Sequence, residues 1–209
     1  MADSDATPSA RQAELLEAAY RYVLAHGLAE MSLRPLATAI GTSPRVLLYL
    51  FGSKENLVRA LLARARTEEL AVLAAVDMPT TDPPADHLPR VAAALWAWLS
   101  APARRALLTL WLEGYVRSLV EPSGPWAEFA RETVADWLAV LAAAQPAGIR
   151  DTDAGRAERT RVLAILRGAL IDLLATGADD RVGAAVRREF GEPAVAKARI
   201  EHTGTPANG

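Results

Sequence analysis

At 209 residues, with 23 Lys and Arg set against 25 Asp and Glu for a net charge of −2, the chain is long enough to bury a substantial core. It lacks the bulk positive charge that would by itself advertise a nucleic-acid partner. It holds no cysteine, which excludes a disulfide framework and a thiolate metal site and makes a cytoplasmic location the expectation.

The opening stretch, MADSDATPSA, carries two acids and no basic or apolar block, so it does not read as a signal peptide. Arg or Asp interrupts the longest apolar runs well before membrane-spanning length, and no membrane partner is expected. Ala, Leu and Arg dominate, apolar residues recur at spacings of three and four, and no stretch alternates with the Val, Ile and Thr content of a strand. The expected fold class is all-α.

Residues 1–8 read as a disordered arm. Ser9 and Gln12 form a capping box that opens a helix running to about His26, with Leu15, Ala18, Ala19, Tyr22 and Val23 on its inner face and Gly27 closing it. Ser32 caps a second helix that tolerates Pro35 in its first turn, places Leu33, Leu36, Ala37 and Ile40 on an apolar stripe, and ends at Gly41. Ser43 caps a third, with Pro44 at the first position, ending near Phe51.

Two short helices joined by a glycine-containing turn make a helix-turn-helix unit, whose second helix enters the major groove of DNA. Leu47, Leu50 and Phe51 would anchor that helix, leaving Arg45, Val46 and Tyr49 outward. Arg45 has the fork for guanine or phosphate and Tyr49 a hydroxyl for phosphate; Ser32, Thr42, Ser43 and Lys54 complete the candidate DNA contacts. Over residues 1–60 six cations face six anions, so the case for DNA rests on placement and not on net charge.

From Lys54 a helix is expected to about Val76, roughly 34 Å at 1.5 Å per residue, able to act as a lever between two domains. The proline-rich DMPTTDPPAD, residues 77–86, reads as a loop. Further helices are expected near 86–99, 103–120, 123–144, 155–176 and 180–190. The five tryptophans, Trp96, Trp98, Trp111, Trp126 and Trp137, lie among them with Tyr115 and Phe129. Such faces suit a flat, apolar ligand as well as an ordinary core. Glu113, Arg117 or His87 would orient a ligand, although Glu113 and Arg117, four apart, would also pair on a helix surface. Residues 161–177 are apolar around most of the helix, the pattern of a buried or self-paired element.

The segment Gly27 to Leu57, GLAEMSLRPLATAIGTSPRVLLYLFGSKENL, resembles the DNA-binding signature of tetracycline-repressor-type regulators. The likeness rests on Gly27, Ser32, Leu36, Ala37, Gly41, Ser43, Leu47, Tyr49, Phe51, Ser53, Lys54, Glu55 and Leu57 in order and spacing. It departs at Leu48, where the family often has a tyrosine, and at Leu50, where it often has histidine.

The resemblance implies a three-helix head over 1–53 and a ligand-binding and dimerisation domain over 54–200, with a disordered tail over 201–209. It further implies a cavity among Trp96, Trp111, Glu113, Tyr115, Trp126, Phe129 and Trp137, and a homodimer formed by the last two helices through Leu166, Ala169, Leu170, Leu173, Val182 and Val186. The implied activity is a ligand-responsive regulator, commonly a repressor, that binds a palindromic double-stranded DNA operator and is released by a small-molecule effector. The alternatives are an activator of the same fold, or a helical interaction module that has lost DNA binding.

An enzyme is not expected. His26, His87 and His202 are far apart, and no HExxH, GxSxG, Gly-rich phosphate loop or paired-carboxylate motif occurs. Neither cofactor nor metal is called for.

Overall fold

A computed structural model describes residues 9–28, 31–74, 83–84 and 86–192. The expected arm 1–8, most of the 77–86 loop and the 201–209 tail lie outside the described residues. Within these, the chain is all-α, with ten α-helices and no strand.

The head is α1 (Ala10–His26), α2 (Leu33–Ala39) and α3 (Pro44–Phe51). Ser9 Oγ accepts from the Gln12 N–H at 3.2 Å, the first half of a capping box. The second half is missing, because Gln12 Nε2 instead donates to the Leu50 carbonyl at 3.1 Å and ties α1 to the end of α3. α1 buries Leu15, Ala19, Tyr20 and Val23. Tyr22, expected inside, is half-buried and stacks on His26 with ring centroids 4.2 Å apart. Tyr20 takes the inner place because its hydroxyl has a charged partner on another helix, donating to Glu68 at 3.1 Å.

α4 (Lys54–Ala74) spans roughly 32 Å at 1.5 Å per residue. Its buried row Leu57, Val58, Leu61, Leu62 and Ala65 lies on α1 and α3 at one end and on α6 and α7 at the other. The body continues with α5 (His87–Leu99), a single 3-10 turn (Pro102–Arg104), α6 (Arg105–Val120), α7 (Phe129–Ala143), α8 (Ala147–Arg150), α9 (Asp153–Thr176) and α10 (Asp179–Phe190). α10 packs on α5 and α9, and α7 fills between α6 and α9.

Two expected boundaries move. The helix expected over 123–144 starts only at Phe129, because Pro122 and Pro125 break the pattern into successive turns and Glu128 adopts a left-handed φ of 68°. The short α8 was not anticipated. It exists because Pro146 restarts the chain and the fully buried Gln145 clasps it, donating from Nε2 to the Gly155 carbonyl at 2.8 Å. Gly155 is obligatory there, since a Cβ would sit 2.0 Å from the Ile149 carbonyl oxygen. α9 then begins at Asp153 with Thr152 Oγ1 accepting from the Gly155 N–H at 3.0 Å.

Candidate DNA-reading surface and effector cavity

α3 is held by its inner face. Leu47 and Phe51 are buried against the head core, Leu50 is half-buried, and Ser43 Oγ accepts the Val46 N–H at 3.3 Å, a cap that contributes about 1 kcal/mol. Arg45, Val46 and Tyr49 point to solvent, Tyr49 with 86% of its surface exposed. Ser32 sits exposed at the N-cap of α2 and makes no side-chain cap bond, Thr42 is half-buried in the turn, and Lys54 is exposed at the first position of α4.

Two exposed side chains outside the sequence-based set belong to the same element pair: Arg34 in the first turn of α2 and Leu48 on α3. Two acids of the head are taken up in ion pairs. Glu14 is taken by Arg11 at 2.7 Å and Glu17 by Arg64 at 2.6 Å, whereas among the described residues Arg34, Arg45 and Lys54 carry no ion pair. These three stand in the first turns of α2, α3 and α4, and Arg21 and Arg59 likewise carry no ion pair among the described residues.

The body encloses a narrow cavity of about 20 Å³ between α4, α5, α6, α7 and α9. Trp111 and Trp137 line it as expected residues, and Trp98 joins them. Trp96, Trp126 and Phe129 are buried in the core away from it. Tyr115 stacks on Trp111 at 5.1 Å from outside the lining and accepts from Arg167 Nη1 at 3.2 Å.

Sequence reasoning missed Glu69 on α4 and Arg167 on α9, which also line the cavity. The signal was present. Glu69 continues the row Val58, Leu61, Leu62, Ala65, and Arg167 lies one turn after Leu163, so each is a charge in an apolar register. Glu69 is 6% exposed. Burial pushes its carboxyl up to about 7, helped by Asp136. The Trp137 indole N–H, which donates to Oε1, opposes that rise, as do Arg167 and, least of all, the Trp111 indole, which faces the carboxylate without closing a hydrogen bond. Burial likewise lowers the pKa of Arg167, whose guanidinium lies over the Trp111 and Tyr115 rings.

Two links join the body to the head. On α4, Arg64 bonds Glu17 of α1, lies over the Tyr20 ring at 4.6 Å and pairs with Glu68, while the adjacent Ala65 and Glu69 face the cavity. On α6, Glu113 accepts the Leu28 N–H at 2.8 Å just past the end of α1, two residues from Trp111. Glu113 thus stands at the α1–α6 junction and not in the cavity lining. Between these links α6 rests tightly on α4, since a Cβ at Gly114 would be 2.8 Å from Leu62 Cδ2.

For the pairing residues, Leu166, Leu170, Leu173, Val182 and Val186 are buried inside this subunit's own core, and Ala169 alone is half-exposed. The outer side of the same two helices carries Ile165, Gly168, Ala169 and Asp172 on α9 with Arg181, Ala185 and Glu189 on α10, along a shallow groove that Val182 and Val186 also line, so that three of the six expected residues border it. Among the described residues no helix is long and apolar enough to cross a membrane.

Residues 15–61 match the family of bacterial regulatory proteins, tetR family. No curated protein matches the chain. Among solved structures, a transcriptional regulator from Rhodococcus sp. Rha1 is 24% identical at a TM-score of 0.67, over 86% of this chain and 93% of that one. The multidrug binding protein EbrR complexed with imidazole is 27% identical at 0.63, over 88% and 92%. EbrR complexed with ethidium is 24% identical at 0.64, over 86% and 98%. The head, residues 15–61, is thus of the tetR-family type, and the described chain shares its fold with these regulators.

Proposed function

We propose that this protein is a ligand-responsive transcriptional repressor of the cytoplasm, which binds a palindromic operator as a homodimer and is released by a small, largely apolar effector. The observation that carries the proposal is the outward display of Arg45, Val46 and Tyr49 on an α3 held by Leu47 and Phe51, next to the unpaired cations Arg34 and Lys54. In this reading residues 1–53 read DNA and residues 54–200 bind effector and partner.

Phosphate contacts from Lys54, Arg34, Tyr49 and the Ser32, Thr42 and Ser43 hydroxyls fix register, and Arg45 reads a base edge. The two-fold mate supplies the second reading helix at a half-site about one or more DNA turns away. Its contact is the outer side of α9 and α10, where Gly168, with open space around it, lets helices approach closely.

Effector binding is a population shift. A ligand that enlarges the cavity favours a state in which α4 and α6 are displaced, and Arg64 and Glu113 carry that displacement to α1. EbrR, a multidrug binding protein of related fold complexed with ethidium, supports a small-molecule effector. The test is selection of bound fragments from the source genome by the purified full chain. Enrichment of a few fragments that share an inverted repeat supports the proposal, and recovery of random sequence refutes it.

A further inference from the structure

The cavity holds three buried polar atoms without a hydrogen-bond partner, each from a different helix: Glu69 Oε2 on α4, Trp111 Nε1 on α6 and Arg167 Nη2 on α9. Unsatisfied groups of this kind carry a real cost, which makes them a record of what the site is shaped to receive. Of their other atoms, Glu69 Oε1 accepts from the Trp137 indole and Arg167 Nη1 donates to the Tyr115 hydroxyl. What is left is one acceptor that needs a donor and two donors that need an acceptor.

Charge narrows the choice. The carboxylate of Glu69 and the guanidinium of Arg167 already face one cavity with opposite signs. A cationic ligand would satisfy Glu69 alone, leave the Trp111 and Arg167 donors orphaned, and add positive charge beside Arg167. An anionic ligand would serve those donors but confront Glu69. A neutral group with an N–H next to a C=O serves all three atoms. The walls add a shape requirement, because Trp98, Trp111 and Trp137 present aromatic faces and Leu99, Leu108 and Leu170 fill between them.

Resting on the effector reading above, we infer that the effector is a neutral, planar heteroaromatic molecule with a cis-amide edge, a lactam or cyclic imide. Its N–H donates to Glu69 and its carbonyl accepts from Trp111 and Arg167. At about 20 Å³ the cavity takes little more than the polar edge. The ring system requires the walls to part, and Trp98, half-buried beneath the Arg104 guanidinium at 5.1 Å, is the aromatic wall that borders solvent.

The experiment is a calorimetric titration of the full-length protein with four bicyclic probes of similar size: 2-quinolinone, its N-methyl derivative, the 1-methylquinolinium cation and 2-naphthoate. Binding is expected for 2-quinolinone, with the N-methyl derivative weakened about tenfold or more by loss of one charge-assisted hydrogen bond. Trp111→Phe, which keeps an aromatic ring and removes the N–H, should weaken 2-quinolinone about three- to tenfold. Glu69→Gln, which turns the free acceptor into a donor, should weaken it about tenfold or more, and circular dichroism checks that both variants are folded.

Tighter binding of the cation or the anion would overturn the ligand class and leave the effector reading standing. Equal binding of 2-quinolinone and its N-methyl derivative, or no loss in either variant, would equally overturn it. Binding of none of the four would remove this cavity as the effector site altogether.

Discussion

Glu69 is ionised only at a cost, and replacing it with glutamine makes that cost measurable. Its carboxyl, lifted from the usual 4.5 to about 7, keeps in the folded protein a proton that the unfolded chain has already released. The raised value means that the stability this group contributes is fully present below about pH 4.5, falls as pH rises to about 7, and stays at the lower level above it. At 1.36 kcal/mol per unit the full difference is up to about 3 kcal/mol. A glutamine amide there would be neutral throughout and would retain an oxygen for the Trp137 indole, so Glu69→Gln mimics the protonated form. The variant should match wild type near pH 4 and exceed it by up to about 3 kcal/mol at pH 8, or roughly 6 to 12 °C in Tm for a chain of this size. Urea unfolding of both proteins at the two pH values measures it. A variant less stable than wild type at pH 8, or a difference independent of pH, would refute the buried, poorly compensated carboxylate.

Arg45→Ala combined with Tyr49→Phe should weaken operator binding at least roughly tenfold, since one bidentate base contact is worth about 1–3 kcal/mol, while gel filtration and ligand titration stay unchanged. Glu113→Gln removes the charged acceptor of the Leu28 N–H; DNA and ligand should each still bind, but the ligand's effect on DNA affinity, typically worth about 1–3 kcal/mol in such couplings, should shrink. Gly155→Ala should cost at least about 3 kcal/mol by thermal melting, because its Cβ would collide with a backbone carbonyl that cannot swing away. Gly168→Arg should leave the subunit folded, its Cβ pointing into open space, and should shift light-scattering mass from dimer to monomer. A dimer that persists would move the interface elsewhere.

The head was legible because its information is local. Ser43, Pro44 and Gly41 announce caps and a turn, and the spacing of Leu47 and Phe51 fixes which side of α3 faces out. Tyr20 was not legible in the same way, since the carboxylate that draws it inward lies 48 residues away. The cavity was half legible. Tryptophan content pointed to α5, α6 and α7, yet an aromatic in the core and an aromatic on a cavity share one periodicity, which is why Trp96 and Trp126 read like Trp111 and Trp137. The sharper markers were the charges set in apolar rows, Glu69 and Arg167. The expected pairing residues on α9 met a related difficulty. The apolar row through Leu166, Leu170 and Leu173 satisfies this subunit's own core, and the face left over is defined by small and polar residues such as Gly168, Ala169 and Asp172 that carry little hydrophobic signal.

The claim on which the rest depends is that α3 reads DNA, and salt dependence tests it most directly. A selected operator fragment, titrated by fluorescence anisotropy across a roughly sixfold range of salt concentration starting from about 50 mM, should give saturable binding. The log–log slope should be near −4 or steeper, as follows when two heads each neutralise at least two phosphates at about 0.9 per contact. Lys54→Ala should flatten that slope by roughly 2 in a dimer. A flat salt response, or affinity that Arg45, Tyr49 and Lys54 substitutions all leave untouched, would contradict the account.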